Sequence, residues 1–282
     1  MILESTLKSS IAIELKRHEF IWIRDYLYKQ AGIVLNDSKM ALVSGRLEKR
    51  LRHYALSSYS EYFRLLGQPA FAQETQLAID LLTTNETYFF REPQHFDFIQ
   101  QVFLPKQGVK PLRFWSAACS SGEEVYTLAM ILAEHAQAGS WEILGTDISS
   151  RILEKASKGL YPLAAAEKVP LTLLKKYCLK GSDEYAGYFL LDTAVRKHVR
   201  FMHLNLIDKL PDLGQFDVIF LRNVMIYFDL KTKQEVVQRL AHHLRPGGYL
   251  IISHSESLSG VKTTLKMAAP SIYQLPPPQP VS

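Results

Sequence analysis

From residue 112 onward the chain repeats one unit: a short apolar run ending in small or polar residues, then an amphipathic stretch of helical length. "LRFWSAAC" (112–119) reads as a buried strand and "GEEVYTLAMILAEHA" (122–136) as a helix. "WEILGTD" (141–147) and "SSRILEKASKG" (149–159) repeat the pair, the second closing on a glycine. "VRFMHLNL" (199–206) and "FDVIFLRNV" (216–224) are further strands. "KTKQEVVQRLAHHLRPGG" (231–248) reads as a helix stopped by Pro-Gly-Gly, and "YLIISHSE" (249–256) as a strand. Continuously apolar strands separated by helices specify an α/β fold with a doubly wound parallel sheet. Residues 160–198 break the rhythm and include the Gly-bounded "GSDEYAGYFLL", which predicts a small inserted β subdomain.

Residues 1–80 follow a different period. Phe20, Ile23, Leu27 and Tyr28 recur at helical spacing, as do Val43, Leu47, Leu51 and Tyr54, predicting a helical N-terminal domain. A helical wheel sets Arg46, Lys49, Arg50 and His53 on the stripe beside the second apolar set. Residues 1–70 hold 11 Lys/Arg against 7 Asp/Glu, in a chain of net charge +5. The basic stripe is either a solvated face or a dock for an acidic partner. Residues 81–111 are expected to link the two parts and carry the first ligand motif; the α/β domain is expected to occupy 112–275. The proline-rich end, 276–282, reads as a tail or linker that could lead into a further domain.

No apolar run is long enough to span a bilayer, and charges at Glu4, Lys8 and Glu14 argue against a signal peptide, so membrane insertion is not expected. Cys119 and Cys178 belong to no paired metal spacing; reduced thiols in a cytoplasmic protein, with no metal, are the expectation.

Ligands of open parallel sheets bind beyond the carboxyl ends of the strands. After the first strand comes "SAACSSGEE", with small residues and a single glycine, Gly122, so it is not a G-x-G-x-x-G phosphate fingerprint. Glu123 and Glu124 at the next helix start suit either the helix dipole or a cationic ligand. Asp147, after the second strand, suits ribose hydroxyls or a helix N-cap. Asn205 and Leu206 follow the third strand; Asn223, Val224 and Tyr227 follow the fourth. Singly each asparagine is an ordinary turn residue; together they offer amide donors and acceptors at one sheet edge. A positively charged nucleoside without phosphates fits this set, and S-adenosylmethionine is the candidate.

"TTNETYFFRE", "WSAACSSGEEVYTLA", "TDIS", "FDVIFLRNVMIYFD" and "LRPGGYLIISHSESL", in this order, closely resemble the chemotaxis receptor methyltransferases of the CheR type. The resemblance runs from about residue 15 to 275. It implies a class I (Rossmann-like) S-adenosylmethionine-dependent methyltransferase domain, an all-α N-terminal domain and an inserted β subdomain. It also implies methyl transfer to glutamate side chains of a methyl-accepting chemoreceptor, leaving S-adenosylhomocysteine. Carried over residue by residue, the cofactor pocket comprises Asn85, Thr87, Arg91, Glu124, Asp147, Asn205, Leu206, Asn223 and Val224, with Glu124 preferred to Glu123. Arg91 and Tyr227 would stand beside the transferred methyl and the incoming glutamate. Arg46, Lys49, Arg50 and His53 would meet acidic receptor helices, and in some relatives the β subdomain takes a receptor C-terminal peptide by strand addition. On this reading, the aromatics of "TTNETYFFRE" wall the cofactor site while its polar residues contact the ligand.

The basic pI admits a nucleic-acid methyltransferase. The stretch after the fourth strand, "RNVMIYF", lacks the Asn/Asp-Pro-Pro-aromatic arrangement suited to exocyclic amines, and no RNA-binding module is present, so nucleic acid is not an expected partner. A cofactor-binding regulator without activity could lose Arg91 or Tyr227; both are present.

Overall fold

The computed structural model describes residues 13–108, 110–135 and 140–277. The first twelve residues, Ala136 at the end of one expected helix, and 278–282 of the expected tail lie outside that set.

Helices α1 (Arg17–Ala31), α2 (Met40–His53), α3 (Tyr59–Leu66) and α4 (Ala72–Leu82) form the N-terminal domain. Gly32 ends α1 at φ +70°, its N–H donating to the Tyr28 carbonyl; a Cβ there would fall 2.8 Å from Ile207 and Thr232 of the α/β domain. Phe20, Ile23, Leu27 and Ala31 pack against Val43, Leu47, Leu51 and Tyr62. Tyr28, expected in that core, turns outward and its hydroxyl donates to Asp229 at 2.8 Å.

The basic stripe of α2 is split by its packing on α4. Arg50 grips buried Glu74 with both Nε (2.8 Å) and Nη2 (2.6 Å), and Tyr62 donates to the same carboxylate at 2.6 Å. Arg46 donates to the carbonyls of Leu82 and Thr83. Lys49 and His53 remain exposed.

Beyond α4 the chain crosses in extended form, then coils into α5 (Pro93–Phe98) and a wide turn, Ile99–Phe103. Phe89, Phe96, Ile99 and Phe103 are buried in the α/β core, so this segment is built into that domain.

There follow β1 (Leu112–Ala117), α6 (Glu123–His135), β2 (Trp141–Asp147), α7 (Ser150–Lys158), β3 (Leu160–Pro162), α8 (Leu171–Tyr177), β4 (Cys178–Lys180), β5 (Tyr188–Leu191), α9 (Thr193–Arg196), β6 (Val199–His203), β7 (Phe216–Leu221), α10 (Leu230–His242), β8 (Leu244–Ile252), β9 (Lys266–Ala269) and β10 (Ile272–Gln274). The main sheet runs β6-β2-β1-β7-β8-β10-β9, parallel from β6 to β8, with β10 antiparallel to both its neighbours. Alternate residues of each central strand serve opposite faces: Phe114, Val218 and Phe220 one core, Trp115, Ile219 and Leu221 the other. The insertion is a separate antiparallel sheet, β3-β5-β4, with α8 beside it.

Several boundaries differ from expectation. The helix expected to reach the Pro-Gly-Gly stop ends at His242, because the His243 carbonyl takes the Phe216 N–H at 2.7 Å and Arg245 pairs with buried Asp217. Residues 244–248 therefore enter the sheet. Strands β6 and β7 end at His203 and Leu221, which leaves Asn205, Leu206, Asn223 and Val224 in loops at the sheet's carboxyl edge.

Candidate active site

The chain moves outward from β1 through β2 to β6, then returns to β7 on the other side of β1. That reversal leaves a crevice at the carboxyl ends of β1 and β7. It opens into a cavity of about 440 Å³, the size of a small-ligand site. The N-terminal domain closes one side with residues from Ala31 to Asn36 and with Lys39, Leu42 and Arg46. Hydrogen bonds between the domains hold this wall on, among them Asn205 Nδ2 to the Gln30 carbonyl (2.8 Å), Val34 N–H to the Tyr227 carbonyl (2.8 Å), Gln76 Nε2 to the Ile148 carbonyl (2.7 Å) and the Tyr28 hydroxyl to Asp229.

Asn85, Thr87, Arg91, Glu124, Asp147, Asn205, Leu206, Asn223, Val224 and Tyr227 all line this one cavity. Of the α2 set, Arg46 also reaches it, whereas Lys49, Arg50 and His53 do not.

The turn after β1 adopts positive φ at Ala118, Ser120 and Gly122. At Gly122 a Cβ would lie 3.0 Å from the Tyr161 hydroxyl and from Ala156, so a side chain there would be crowded, and strained at φ +92°. The turn spends its donors internally: Ala118 and Cys119 N–H on the Thr146 carbonyl, Ser120 N–H on Asp147, Gly122 N–H on Cys119. Phosphate-binding turns keep such groups free. Those four N–H groups are therefore not free for a phosphate.

Asp147 also accepts from the Ser149 N–H at 2.9 Å, while Ser149, not Asp147, caps α7 by accepting from Ile152. Burial pushes the Asp147 carboxyl up against these two donors. Glu124 faces the cavity and accepts from the Ser116 hydroxyl and from Arg222, each at 2.7 Å. Glu123 is turned inward onto Ser121, and burial raises its carboxyl. Of the pair, only Glu124 lines the cavity.

Arg91 is half-buried; its Nη1 donates to the Glu86 carbonyl and its guanidinium lies 5.6 Å over the Tyr88 ring. The aromatic wall is thinner than the sequence suggested. Phe89 is fully buried against Tyr161 and Phe189, Phe90 packs on Phe96, and only Tyr88 and Phe96 of these rings reach the cavity.

Sequence reasoning missed three charged groups beneath the site. Buried Arg222 bridges Glu124 and the Arg91 main-chain carbonyl and lies 3.3 Å from Glu92. Glu256 accepts from four main-chain N–H groups, of Asn223, Met225, Ile226 and Ser253, and so shapes the turn that carries Asn223 at φ +58°. Burial raises Glu256 despite those donors. Glu92 takes the Ser253 hydroxyl and the His254 N–H; burial opposes its charge, but these donors and Arg222 hold it at about 2. Applying the strand-end rule to β8 would have gathered Ser253 to Glu256. Glu92, His95 and His254 also bring one ligand atom each within 4.8 Å of one another, with the Arg222 guanidinium 3.3 Å from Glu92.

A doubly wound sheet with an acid after each of β1 and β2 and a phosphate-indifferent turn defines a Rossmann-like S-adenosylmethionine-dependent methyltransferase. Residues 18–83 match the all-alpha domain of the CheR methyltransferases and residues 85–273 their SAM-binding domain. The chain belongs to the CheR methyltransferase family. It is 37% identical over 256 residues to the chemotaxis protein methyltransferase of Escherichia coli, covering 90% of this chain and 89% of that one. It is 38% identical to chemotaxis protein methyltransferase 2 of Pseudomonas aeruginosa (91% and 92%) and 37% identical to the Borreliella burgdorferi chemotaxis protein methyltransferase (95% and 97%). Among the described residues no helix is long and apolar enough to cross a membrane.

Proposed function

We propose that this protein methylates glutamate side chains on the cytoplasmic helices of a methyl-accepting chemoreceptor, forming methyl esters in the cytoplasm. The observation that carries the reading is the convergence of Arg91 and Tyr227 with Glu124, Asp147 and both asparagines on one cavity. When bound, S-adenosylmethionine supplies a methyl group already activated by its sulfonium. Glu124 would hold the amine of the methionyl group, Asp147 the ribose hydroxyls, and Asn205, Leu206, Asn223 and Val224 the base, with Asn85 and Thr87 completing the wall.

A glutamate carboxylate, with an ordinary pKa near 4.3, is ionised at neutral pH and needs no general base. The protein's task is to strip its water and aim it. Arg91 orients one carboxylate oxygen through a charge-assisted hydrogen bond, and the Tyr227 phenol donates to or packs on the same group. On the receptor side, exposed Lys49 offers charge and exposed His53 a polar ring to an acidic helix, with Arg46 and Arg50 partly committed within the domain. The edge strand β4 offers main-chain groups for a receptor C-terminal peptide.

Incubation with methyl-labelled S-adenosylmethionine and a receptor cytoplasmic fragment should give base-labile label on glutamate. Label on RNA, with none on any receptor fragment, would reverse the assignment.

A further inference from the structure

Fourteen large apolar side chains of the described residues are exposed, and three of them, Val34 (48%), Tyr88 (43%) and Ile226 (52%), line the cavity that holds Arg91 and Tyr227. Residues that both face solvent and line a cavity stand at its mouth. The floor is different: Ala31, Leu204, Leu206 and Phe228 line the same cavity and are buried. The three rim residues come from the α1–α2 loop, the interdomain crossing and the turn after β7, so the fold brings them together from distant sequence. Main-chain N–H groups hold two of them in place, Val34 on the Tyr227 carbonyl and Ile226 on the Glu256 carboxylate, and about half of each residue stays open to solvent. The cavity lining carries the cations Lys39, Arg46, Arg91 and Arg222 against the acids Glu86, Glu124 and Asp147; Arg222 pairs with Glu124, which leaves three cations to two acids, and of these Lys39 and Glu86 are exposed.

We infer that this rim seats the acceptor helix itself, an acidic amphipathic segment whose apolar side chains cover Val34 and Ile226 while its glutamate reaches toward Arg91 and Tyr227. The inference rests on the function proposed above. Exposed aliphatic groups joined to a ligand cavity are a binding surface for apolar side chains. The surrounding positive charge selects an acidic bearer, and continuity with the cavity fixes where that bearer lies. Residues three and four positions from a helical glutamate share its face, so those are the ones that meet the rim. Covering it would exclude water from the cavity and leave the carboxylate desolvated beside Arg91. A nucleic-acid acceptor would be served by several stacking rings, whereas this rim offers one, Tyr88, beside two aliphatic side chains.

The test uses the full chain and a purified receptor cytoplasmic fragment, with Val34→Ser/Ile226→Ser as the principal variant and Ile226→Ala as a milder one. S-adenosylhomocysteine affinity, read by calorimetry, should stay within about twofold, which also reports correct folding. The KM for the fragment should rise about tenfold, with kcat nearly kept, as for loss of an apolar anchor. Replacing the fragment's apolar residues at three and four positions from the acceptor glutamate with serine should remove most of the difference between wild type and variant. An unchanged KM, or equal losses of cofactor and fragment affinity, overturns the rim assignment while wild-type methylation preserves the functional reading. Wild type that methylates no receptor fragment overturns both.

Discussion

Arg222 Nη1 donates to Glu124 Oε2 at 2.7 Å, joining a buried guanidinium at the end of β7 to the carboxylate that opens α6. Its other terminal nitrogen reaches the main-chain carbonyl of Arg91. One cation thereby sets the cavity-facing acid and the segment of the proposed catalytic arginine. Arg222→Met leaves Glu124 and Glu92 without their shared partner and should cost about 3–5 kcal/mol of stability, read by denaturant unfolding. Arg222→Lys keeps the charge but not the fork; it should fold, and lose turnover and S-adenosylhomocysteine affinity together.

Arg91→Ala should separate those two quantities. Its side chain makes one hydrogen bond, to the Glu86 carbonyl, and a ring contact, so the fold does not depend on it. Turnover on a receptor fragment should fall about 100-fold, with S-adenosylhomocysteine affinity changed much less. Equal losses by kinetics and calorimetry would make Arg91 a cofactor clamp alone.

Asp147→Asn should weaken S-adenosylhomocysteine binding by about 10- to 100-fold through loss of charge-assisted acceptance. The carboxylate already takes the N–H groups of Ser120 and Ser149 on separate oxygens. An amide turns an NH2 toward one of them, so a drop in melting temperature should accompany the affinity loss seen by calorimetry.

The basic residues of α2 should divide by role. Arg50→Glu sets two carboxylates together at Glu74 and should cost the N-terminal domain about 3 kcal/mol, read by thermal unfolding. Lys49→Glu with His53→Glu should leave stability nearly unchanged, raise the KM for the receptor fragment and flatten its salt dependence. Unchanged kinetics in the second variant would return that face to solvent.

Acid should destabilise the fold partly through His95. Burial, with Arg222 and His254 nearby, lowers this imidazole from 6.5 to about 3, so between those values the unfolded chain binds the extra proton. The stability it confers is complete above pH 6.5 and declines as pH falls toward 3. Glu92, lowered from 4.5 to about 2, adds its own loss below pH 4.5. Burial raises Glu123, Asp147 and Glu256, which act in the opposite sense. The clean measurement is therefore the wild-type-minus-His95→Gln difference in unfolding free energy, which should shrink as pH falls from 6.5 to 4.5.

Much of the architecture was legible because periodicity is local. Val43, Leu47 and Leu51 are spaced for one helix face whatever surrounds them, and Phe114 with Trp115 must point to opposite faces of a strand. The strand-end rule gathered Glu124, Asp147, Asn205 and Asn223 because a parallel sheet brings all its carboxyl ends to one edge. What stayed hidden was pairing. Tyr28 fits the apolar spacing yet serves Asp229, 201 residues away, and Arg50 fits a basic stripe yet serves Glu74.

Sequence by itself determined the helical N-terminal part, the doubly wound sheet with its inserted small sheet, and the edge at which a phosphate-free nucleoside would be held. These follow from backbone periodicity and turn chemistry, which act within a few residues. Tertiary structure alone decided which of two adjacent glutamates faces the cavity, which arginines are spent inside the protein, and which apolar side chains are left at the cavity's mouth. Those outcomes depend on the register and packing of segments distant in the chain, and a charge or a methyl group takes its role from the partners that folding brings to it.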